Sequence, residues 1–328
     1  MKPFDYRTAT DMGTAVAEVS GRPDARFVAG GTNLVDHLKL GVAEPDLLVD
    51  ITAVTSAAVE DRDGGLWIGA GVRNSDLAAD RRVRERYPVL AQALLSGASG
   101  QLRNMATTGG NPLQRTRCVY FQDVTTPCNK RVPGSGCSAI GGYTRYHAIL
   151  GASEHCVATH PSDMAVALSA LDAKVHVLTP EGERSFPFVD LHRLPGEKPD
   201  QDTRLQHGDL ITAIELPPSP FAQQSRYRKV RDRASYAFAL VSVAAALDVA
   251  DGIVRDVRIA LGGVAHTPWR AYKAEQVLRG QPAEVASYRL AADAEMADAR
   301  ALDGIDGGNG FKIPLVTRTL VATLRDLT

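Results

Sequence analysis

All four cysteines of this 328-residue chain fall between Cys118 and Cys156, spaced C-x9-C-x8-C-x18-C, in a segment that begins CVYFQDVTTPCNKRVPGSGC. Thiolates bind soft metals, and four of them converging suit tetrahedral zinc or a cubane iron-sulfur cluster. Zinc sites usually contain a C-x2-C knuckle, which this segment lacks. Two disulfides in an oxidising compartment would use the same residues. Four unrelated buried thiols are a third reading, although a segment rich in Gly, Pro, Asn, Thr and Arg is a poor candidate for core. Spacing alone leaves these readings open. His147, His155 and His160 are ligands in principle, and His155, adjoining Cys156, is expected to play a structural part.

Two glycine pairs suggest a second chemistry. In VAGGTNL, Val28 to Leu34, a strand runs into a helix. The glycines admit close backbone approach, and the peptide N–H groups beyond them can face an anion such as a phosphate. In RNMATTGGNPL, Thr107 and Thr108 offer hydroxyl donors, Gly109 and Gly110 open the backbone, and Asn111 can bond a ligand through both ends of its amide. Each is equally readable as a plain turn. Neither has the G-x-G-x-x-G spacing of a Rossmann dinucleotide site. Asp163 in HPSDM can accept from sugar hydroxyls, although Ser162 or Asp163 would also cap the helix that follows. Lys229 can offer an ammonium to a phosphate or an anionic ring; taken alone it reads as a solvated surface cation. No G-x-S-x-G elbow and no H-E-x-x-H occurs.

The elements that must position these residues alternate at first as parallel α/β units do. Thr10 or Asp11 caps a helix, ARFVAGG is a short strand, NLVDHLKLG is a helix closed by Gly41, and DLLVDIT and LWIGAGV are strands. Residues 76–96 read as an amphipathic helix interrupted at Pro88. Beyond the cysteines come the helix SDMAVALSALDA, the strand KVHVLTP and the strand DLITAIELPPSP, whose proline cluster marks a domain boundary near residue 220. Two long apolar strands then meet at an Asp251-Gly252 turn. Helical stretches follow near Trp269 to Arg279, Ala283 to Arg300 and Phe311 to Leu327. This is a second, α+β domain.

A hydrophobic content of 44% and a charged content of 23% are ordinary for a soluble globular protein. A formal net charge of −1 and the lack of Lys/Arg-rich runs speak against nucleic acid as a partner. No apolar window is long enough to span a membrane, and no signal peptide is readable.

In this order, RFVAGGTNLVDHLK, GASGQLRNMATTGGN, SDMAVALSALDA, DLITAIELP and IALGGVAHTPWRAYKAEQVLRG resemble the flavin-binding subunit of molybdenum hydroxylases, the xanthine dehydrogenase and aldehyde oxidoreductase family. The likeness runs from about residue 3 to GFKIPLVTRTLVATL. The cysteine segment, followed by HAILGASEHCVATHPSDM, is similar to the medium subunit of the periplasmic aldehyde oxidoreductase type, which carries a [4Fe-4S] cluster besides FAD.

The resemblance implies that Cys118, Cys128, Cys137 and Cys156 are cluster ligands. It also implies that Arg26, Phe27, Val28, Ala29, Gly30, Gly31, Thr32, Asn33 and Leu34 wrap the FAD pyrophosphate. Thr107, Thr108, Gly109, Gly110 and Asn111 would hold its other side, Asp163 would bond sugar or ribityl hydroxyls, and Ile211 and Lys229 would lie by the isoalloxazine. The family often has Asp after GGT and Ile before GGN, where this chain has Asn33 and Thr108; both roles are mainly backbone ones.

The implied fold is α+β: a two-subdomain FAD-binding domain of the vanillyl-alcohol-oxidase (PCMH) type over residues 1–220, with an inserted cluster loop at about 112–160. A C-terminal domain of the CO dehydrogenase flavoprotein type would span 221–328. The implied assembly is a heterotrimer. A large molybdenum-cofactor subunit oxidises the aldehyde, a small subunit with two [2Fe-2S] clusters relays electrons, and this chain passes them through FAD to an external acceptor. No general acid or base is needed in this chain. Because Asn111 and Asp163 both belong to the flavin site, the cysteine segment between them is expected beside the FAD domain. Localisation is expected to be periplasmic, by export with a signal-bearing partner, or cytoplasmic. The alternatives are the flavin/[4Fe-4S] subunit of a 4-hydroxybenzoyl-CoA reductase-type enzyme and a non-catalytic zinc- or disulfide-bearing nucleotide-binding module.

Overall fold

Helix ends in this chain follow from local chemistry. Asp11 opens the helix Met12–Ser20, its carboxylate accepting from Thr14 N at 2.7 Å. Gly41 closes the helix Leu34–Leu40 with φ of 70°. The stretch expected as one interrupted helix is three, Asn74–Ala79, Arg81–Arg86 and Pro88–Ser96. Asp80 ends the first and caps the second through Arg82 N and Val83 N, and Pro88 starts the third at a position where its missing N–H costs nothing.

The computed structural model describes residues 1–328, with twelve strands in three sheets. Strands β1 (Asp5–Thr8), β2 (Ala25–Val28) and β3 (Leu47–Asp50) form a parallel sheet in the order β1-β3-β2. Its small core joins Val16 and Val19 to Leu47 and Val49.

A five-stranded sheet follows, built from β4 (Val59–Arg62), β5 (Gly65–Gly69), β6 (Lys174–Thr179), β7 (Gly182–Pro187) and β8 (Leu210–Leu216) in the order β4-β5-β8-β6-β7. Every pairing in it is antiparallel, so the parallel pattern read at the N-terminus stops after β3. The helices Pro88–Ser96 and Asp163–Ala170 share its core. These two sheets are the two subdomains of the first domain.

The second domain is an antiparallel sheet of β9 (Ser225–Val230), β10 (Val241–Ala250), β11 (Ile253–Gly262) and β12 (Trp269–Arg270), ordered β12-β11-β10-β9. It packs on the helices Tyr272–Leu278, Val285–Met296 and Lys312–Arg325. Asp251 and Gly252 make the β10–β11 turn with φ of 53° and 73°, the hand that a tight hairpin needs. Trp269 and Arg270, expected to begin a helix, instead pair with Leu261 and Ala260, and the helix starts at Tyr272.

Strand β10 is buried on both faces from Val241 to Leu247, which explains the apolar run Val243 to Leu247. Val243 and Ala245 belong to the core of the second domain, whereas Ala244, with its β11 partner Ala260, belongs to the core of the first. Small residues are required on that face because the helix Asp163–Ala170 comes close: a Cβ on Gly262 would stand 2.6 Å from Val166 Cγ2. No helix is long and apolar enough to cross a membrane.

Candidate functional site

A cleft of about 710 Å³ opens where the parallel subdomain, the five-stranded subdomain and β9 meet. Every residue from Arg26 to Leu34 lines it, as do Thr107, Gly109, Gly110, Asn111, Asp163, Ile211 and Lys229. Its most telling feature is electrostatic. The backbone N–H groups of Gly30, Gly31, Thr32 and Asn33 have no acceptor in the chain. Consecutive unpaired amides in a concave wall form an anion cradle. Gly30 is there for space, since a Cβ would lie 2.0 Å from Met105 O, and Gly31 for conformation, with φ of 69°.

Of the cations of this cleft, sequence reasoning named Arg26 and Lys229 and missed Arg103, Arg115 and Arg117. Arg26, Arg103, Arg115 and Arg117 all line it. The signal available was the pair of arginines flanking Thr116, immediately before Cys118. Burial, reinforced by Arg115 and Arg117, pushes the lining His37 down to about 4 and keeps it neutral. Asn33 proves to be used through its side chain too: its Oδ1 accepts from Arg115 N at 3.0 Å, joining the anion cradle to the segment that leads into the cysteines.

The second glycine pair works differently from the first. Gly109 N is bonded to Ala70 O, Gly110 N to Thr107 Oγ1 and Asn111 N to Thr107 O, so this wall offers shape in place of amides. Thr108 departs from expectation: it is fully buried, its hydroxyl donates to Val72 O at 3.1 Å, and it does not line the cleft. The β-bridge between Arg73 and Thr107 turns the next side chain inward. Asn111 donates to Asn74 Oδ1 at 2.7 Å, leaving the buried Asn74 Nδ2 on the cleft wall with no partner.

Lys229 is not a surface cation. Its side chain is 4% exposed and its Nζ stands 2.7 Å from Asp163 Oδ2. Tyr227 donates to the other carboxylate oxygen at 2.5 Å, and burial together with Asp163 raises its phenol well above 10.0. Strand β9 and the helix begun by Asp163 thus bring the predicted pair together on the cleft floor. The helix cap is Ser162, whose Oγ accepts from Ala165 N at 2.9 Å, which leaves Asp163 for the cleft.

The cysteine segment lies between this cleft and the second domain. Ile149 N and Leu150 N both donate to Val264 O, His160 N donates to Ala265 O, and Ile149 and Leu150 enter the core of the second domain. All four thiols are free. Cys128 and Cys137 face each other across an isolated antiparallel bridge, and Cys118 and Cys156 each lie close enough to both to be influenced by their charge. Burial pushes the thiol of Cys118 up to about 12 and that of Cys156 up to about 11. Burial therefore keeps both protonated at neutral pH.

No three His, Cys, Asp or Glu side chains converge tightly enough to grip one metal ion, as zinc requires at about 2.3 Å from each sulfur. His147 places Nε2 3.1 Å from Cys118 Sγ. His155 is exposed, and its carbonyl accepts from Asn129 Nδ2 at 3.0 Å. His160 instead shares a buried pocket with His192, each with Nε2 on Pro112 O.

Residues 2–219 match the family described as the FAD binding domain in molybdopterin dehydrogenase, and residues 225–327 match the CO dehydrogenase flavoprotein C-terminal domain. The chain belongs to the FAD-binding medium subunits of the molybdenum hydroxylase family. As such it is a subunit of an oxidoreductase. The aldehyde oxidoreductase FAD-binding subunit PaoB of Escherichia coli is 51% identical to this medium subunit over 328 residues, covering 99% of it and 98% of the relative. The glyceraldehyde dehydrogenase medium chain of Sulfolobus acidocaldarius is 28% identical, over 85% of this chain and 82% of its own. Among solved structures, a chain of CO dehydrogenase from Oligotropha carboxidovorans superposes with a TM-score of 0.77 at 23% identity, covering 99% of the medium subunit and 98% of that chain. Quinoline 2-oxidoreductase from Pseudomonas putida 86 gives 0.75 at 23%, over 99% and 96%. The free amides, the four arginines and the unpartnered Asn74 Nδ2 fit the pyrophosphate and polar edges of FAD.

Proposed function

We propose that this chain is the FAD- and [4Fe-4S]-bearing electron-transfer subunit of a heterotrimeric molybdenum-containing aldehyde oxidoreductase. FAD, when bound, takes electrons singly and releases them singly or in pairs, which suits a junction between iron-sulfur carriers and an acceptor. The chain's own residues bind and orient. Gly30 to Asn33 and the cleft arginines hold the pyrophosphate, and the buried Asp163–Lys229 pair and Ile211 fix the ring end. Cys118, Cys128, Cys137 and Cys156 hold the cluster. Aldehyde oxidation belongs to a partner large subunit, and a small subunit with two [2Fe-2S] clusters supplies the electrons. The periplasm, reached by export with a signal-bearing partner, is the proposed compartment.

The observation that supports the cluster is the placement of all four free thiols in one segment beside the cleft, Cys128 and Cys156 buried and Cys118 and Cys137 half-buried. A cubane binds each of its four cysteine ligands to a different iron, so it does not call for three side chains on one ion. The relative's name supports the aldehyde.

The test is the anaerobically purified complex. Flavin bands over a broad iron-sulfur absorption are expected, with iron and sulfide in excess of the [2Fe-2S] content by four of each, and reduction by an aldehyde. Iron and sulfide accounted for by the small subunit alone would remove the cluster, and a reduced complex only with a non-aldehyde substrate would remove the aldehyde.

A further inference from the structure

Between the cysteine segment and the flavin cleft, charged groups from three separate stretches of chain meet, the lysine buried and its partners half-buried. Lys130, two residues past Cys128, is 1% exposed at its side chain. Its Nζ donates to Asp202 Oδ1 at 2.5 Å and to Pro199 O at 2.7 Å, and stands 2.6 Å from His266 Nε2. The other oxygen of Asp202 accepts from Arg115 Nε at 2.6 Å. Arg115 lines the cleft, and its backbone N–H donates to Asn33, whose own backbone N–H is part of the anion cradle. The connection from cradle to thiols therefore runs Asn33, Arg115, Asp202, Lys130, with every link a hydrogen bond or ion pair.

Asp202 is the only anion among these groups. Burial alone would raise its carboxyl, but Arg115 and Lys130 overturn that and hold it well below the usual carboxylate range. Burial, reinforced by Lys130, pushes His266 down to about 4, so the imidazole adds no charge. Without the carboxylate, two cations would face each other in a poorly solvated space, and Lys130 would be a buried charge with no counter-ion. The charge pairing that joins Lys130 to Arg115 would then be lost, leaving the bonds of Arg131 to the Tyr120 and Phe121 carbonyls to hold the two segments.

We propose that Asp202 is a positioning residue that couples occupancy of the cysteine centre to the affinity of the flavin cleft. The inference rests on the cluster reading above. A cluster held by Cys128 fixes the backbone that presents Lys130. Asp202 transmits that placement to Arg115, and Arg115 holds Asn33 and the cradle in the shape that takes a pyrophosphate. Such coupling is reciprocal, so bound flavin stabilises the loaded cysteine centre by the same factor.

A double-mutant cycle on FAD affinity tests it, using the deflavinated complex titrated with FAD and read by flavin fluorescence. Wild type, Asp202→Asn, Cys128→Ser and the double variant are compared, with iron and sulfide measured in each. Each single change is expected to weaken FAD about fivefold or more, the low end of typical coupling. The double variant is expected to be no weaker than the weaker single, because both changes break one connection. Asp202→Glu should restore much of the affinity, which a general loss of stability would not predict. If Asp202→Asn fails to assemble, Lys130→Met enters the same cycle from the other end of the ion pair.

Losses that multiply in the double variant, or an Asp202→Asn affinity equal to wild type, would overturn the proposal while iron in the wild type leaves the cluster reading intact. A wild-type complex without the additional iron overturns both.

Discussion

At Gly30 one methyl group separates an anion cradle from a blocked one. An alanine Cβ there would lie 2.0 Å from Met105 O, a backbone atom that can yield only by moving the facing wall. Overpacking of this kind costs about 1–3 kcal/mol, roughly five- to 150-fold in affinity if the cleft bears it. Gly30→Ala is therefore expected to purify largely free of flavin. The ratio of flavin absorbance to protein checks this, and a wild-type ratio would contradict it.

Asp163 and Lys229 make the same point about charge. Their side chains are 8% and 4% exposed, so Asp163→Asn strands a buried ammonium. Removing one partner of a buried pair costs about 3–5 kcal/mol. Urea unfolding of the deflavinated complex should show a loss of that size for Asp163→Asn, and a smaller one for the double change to Asn and Met, which removes both charges. Equal losses would mean that the pair is not what the cleft floor depends on.

At the scale of elements, the helix Asp163–Ala170 and the segment before β8 enclose a histidine pocket whose behaviour with pH follows from its burial. Burial pushes His192 down to about 4 from 6.5 and His160 well below 6.5. The unfolded chain takes up these protons as pH falls below about 6.5, while native His192 does not until pH is near 4. Stability is therefore lost as pH falls through that window, by at most about 1.4 kcal/mol per pH unit for each group. The melting temperature should drop from pH 7 to pH 5, and His192→Gln should make the drop shallower. A slope unaffected by the substitution would show that His192 does not titrate on unfolding.

Loops in this chain are also structural elements in their own right. The cysteine segment has little regular structure, yet it is fixed at both margins. Arg131 donates to the carbonyls of Tyr120 and Phe121, and Asn129 pairs with Gly136 through both its amide oxygen and its backbone. Local hydrogen bonds replace a ladder in holding the thiols near one another.

In the whole molecule the two domains are not independent. Ala244 and Ala260 of the second domain complete the core of the first, and Arg270, 4% exposed, reaches across to Ser169 O and to Asp172. The proline cluster near residue 220 marks a change of sheet but not a separable unit. Residues 1–220 expressed alone should be insoluble, or soluble with strong binding of a hydrophobic dye, because the helix Asp163–Ala170 loses its cover. A monomeric, dye-negative fragment that binds FAD would show that the first domain closes its own core.

The sequence by itself determined the hairpin turn and the family, because these rest on short-range chemistry or on ordered motifs, and it narrowed the caps to Thr10 or Asp11 and Ser162 or Asp163. It offered Gly30 and Gly31 as a phosphate site or a plain turn, and the unpaired amides favour the first. Tertiary structure decided the rest. Lys229 became a buried counter-ion because β9, which carries no strong strand pattern, lies against the helix begun by Asp163. Thr108 left the cleft because a β-bridge at Thr107 set its direction. Arg115 and Arg117, unremarked beside the cysteines, became cleft cations, and Asp202 became the link between cradle and thiols. Side-chain partners far apart in the chain are chosen by packing, and packing has no period that a sequence displays.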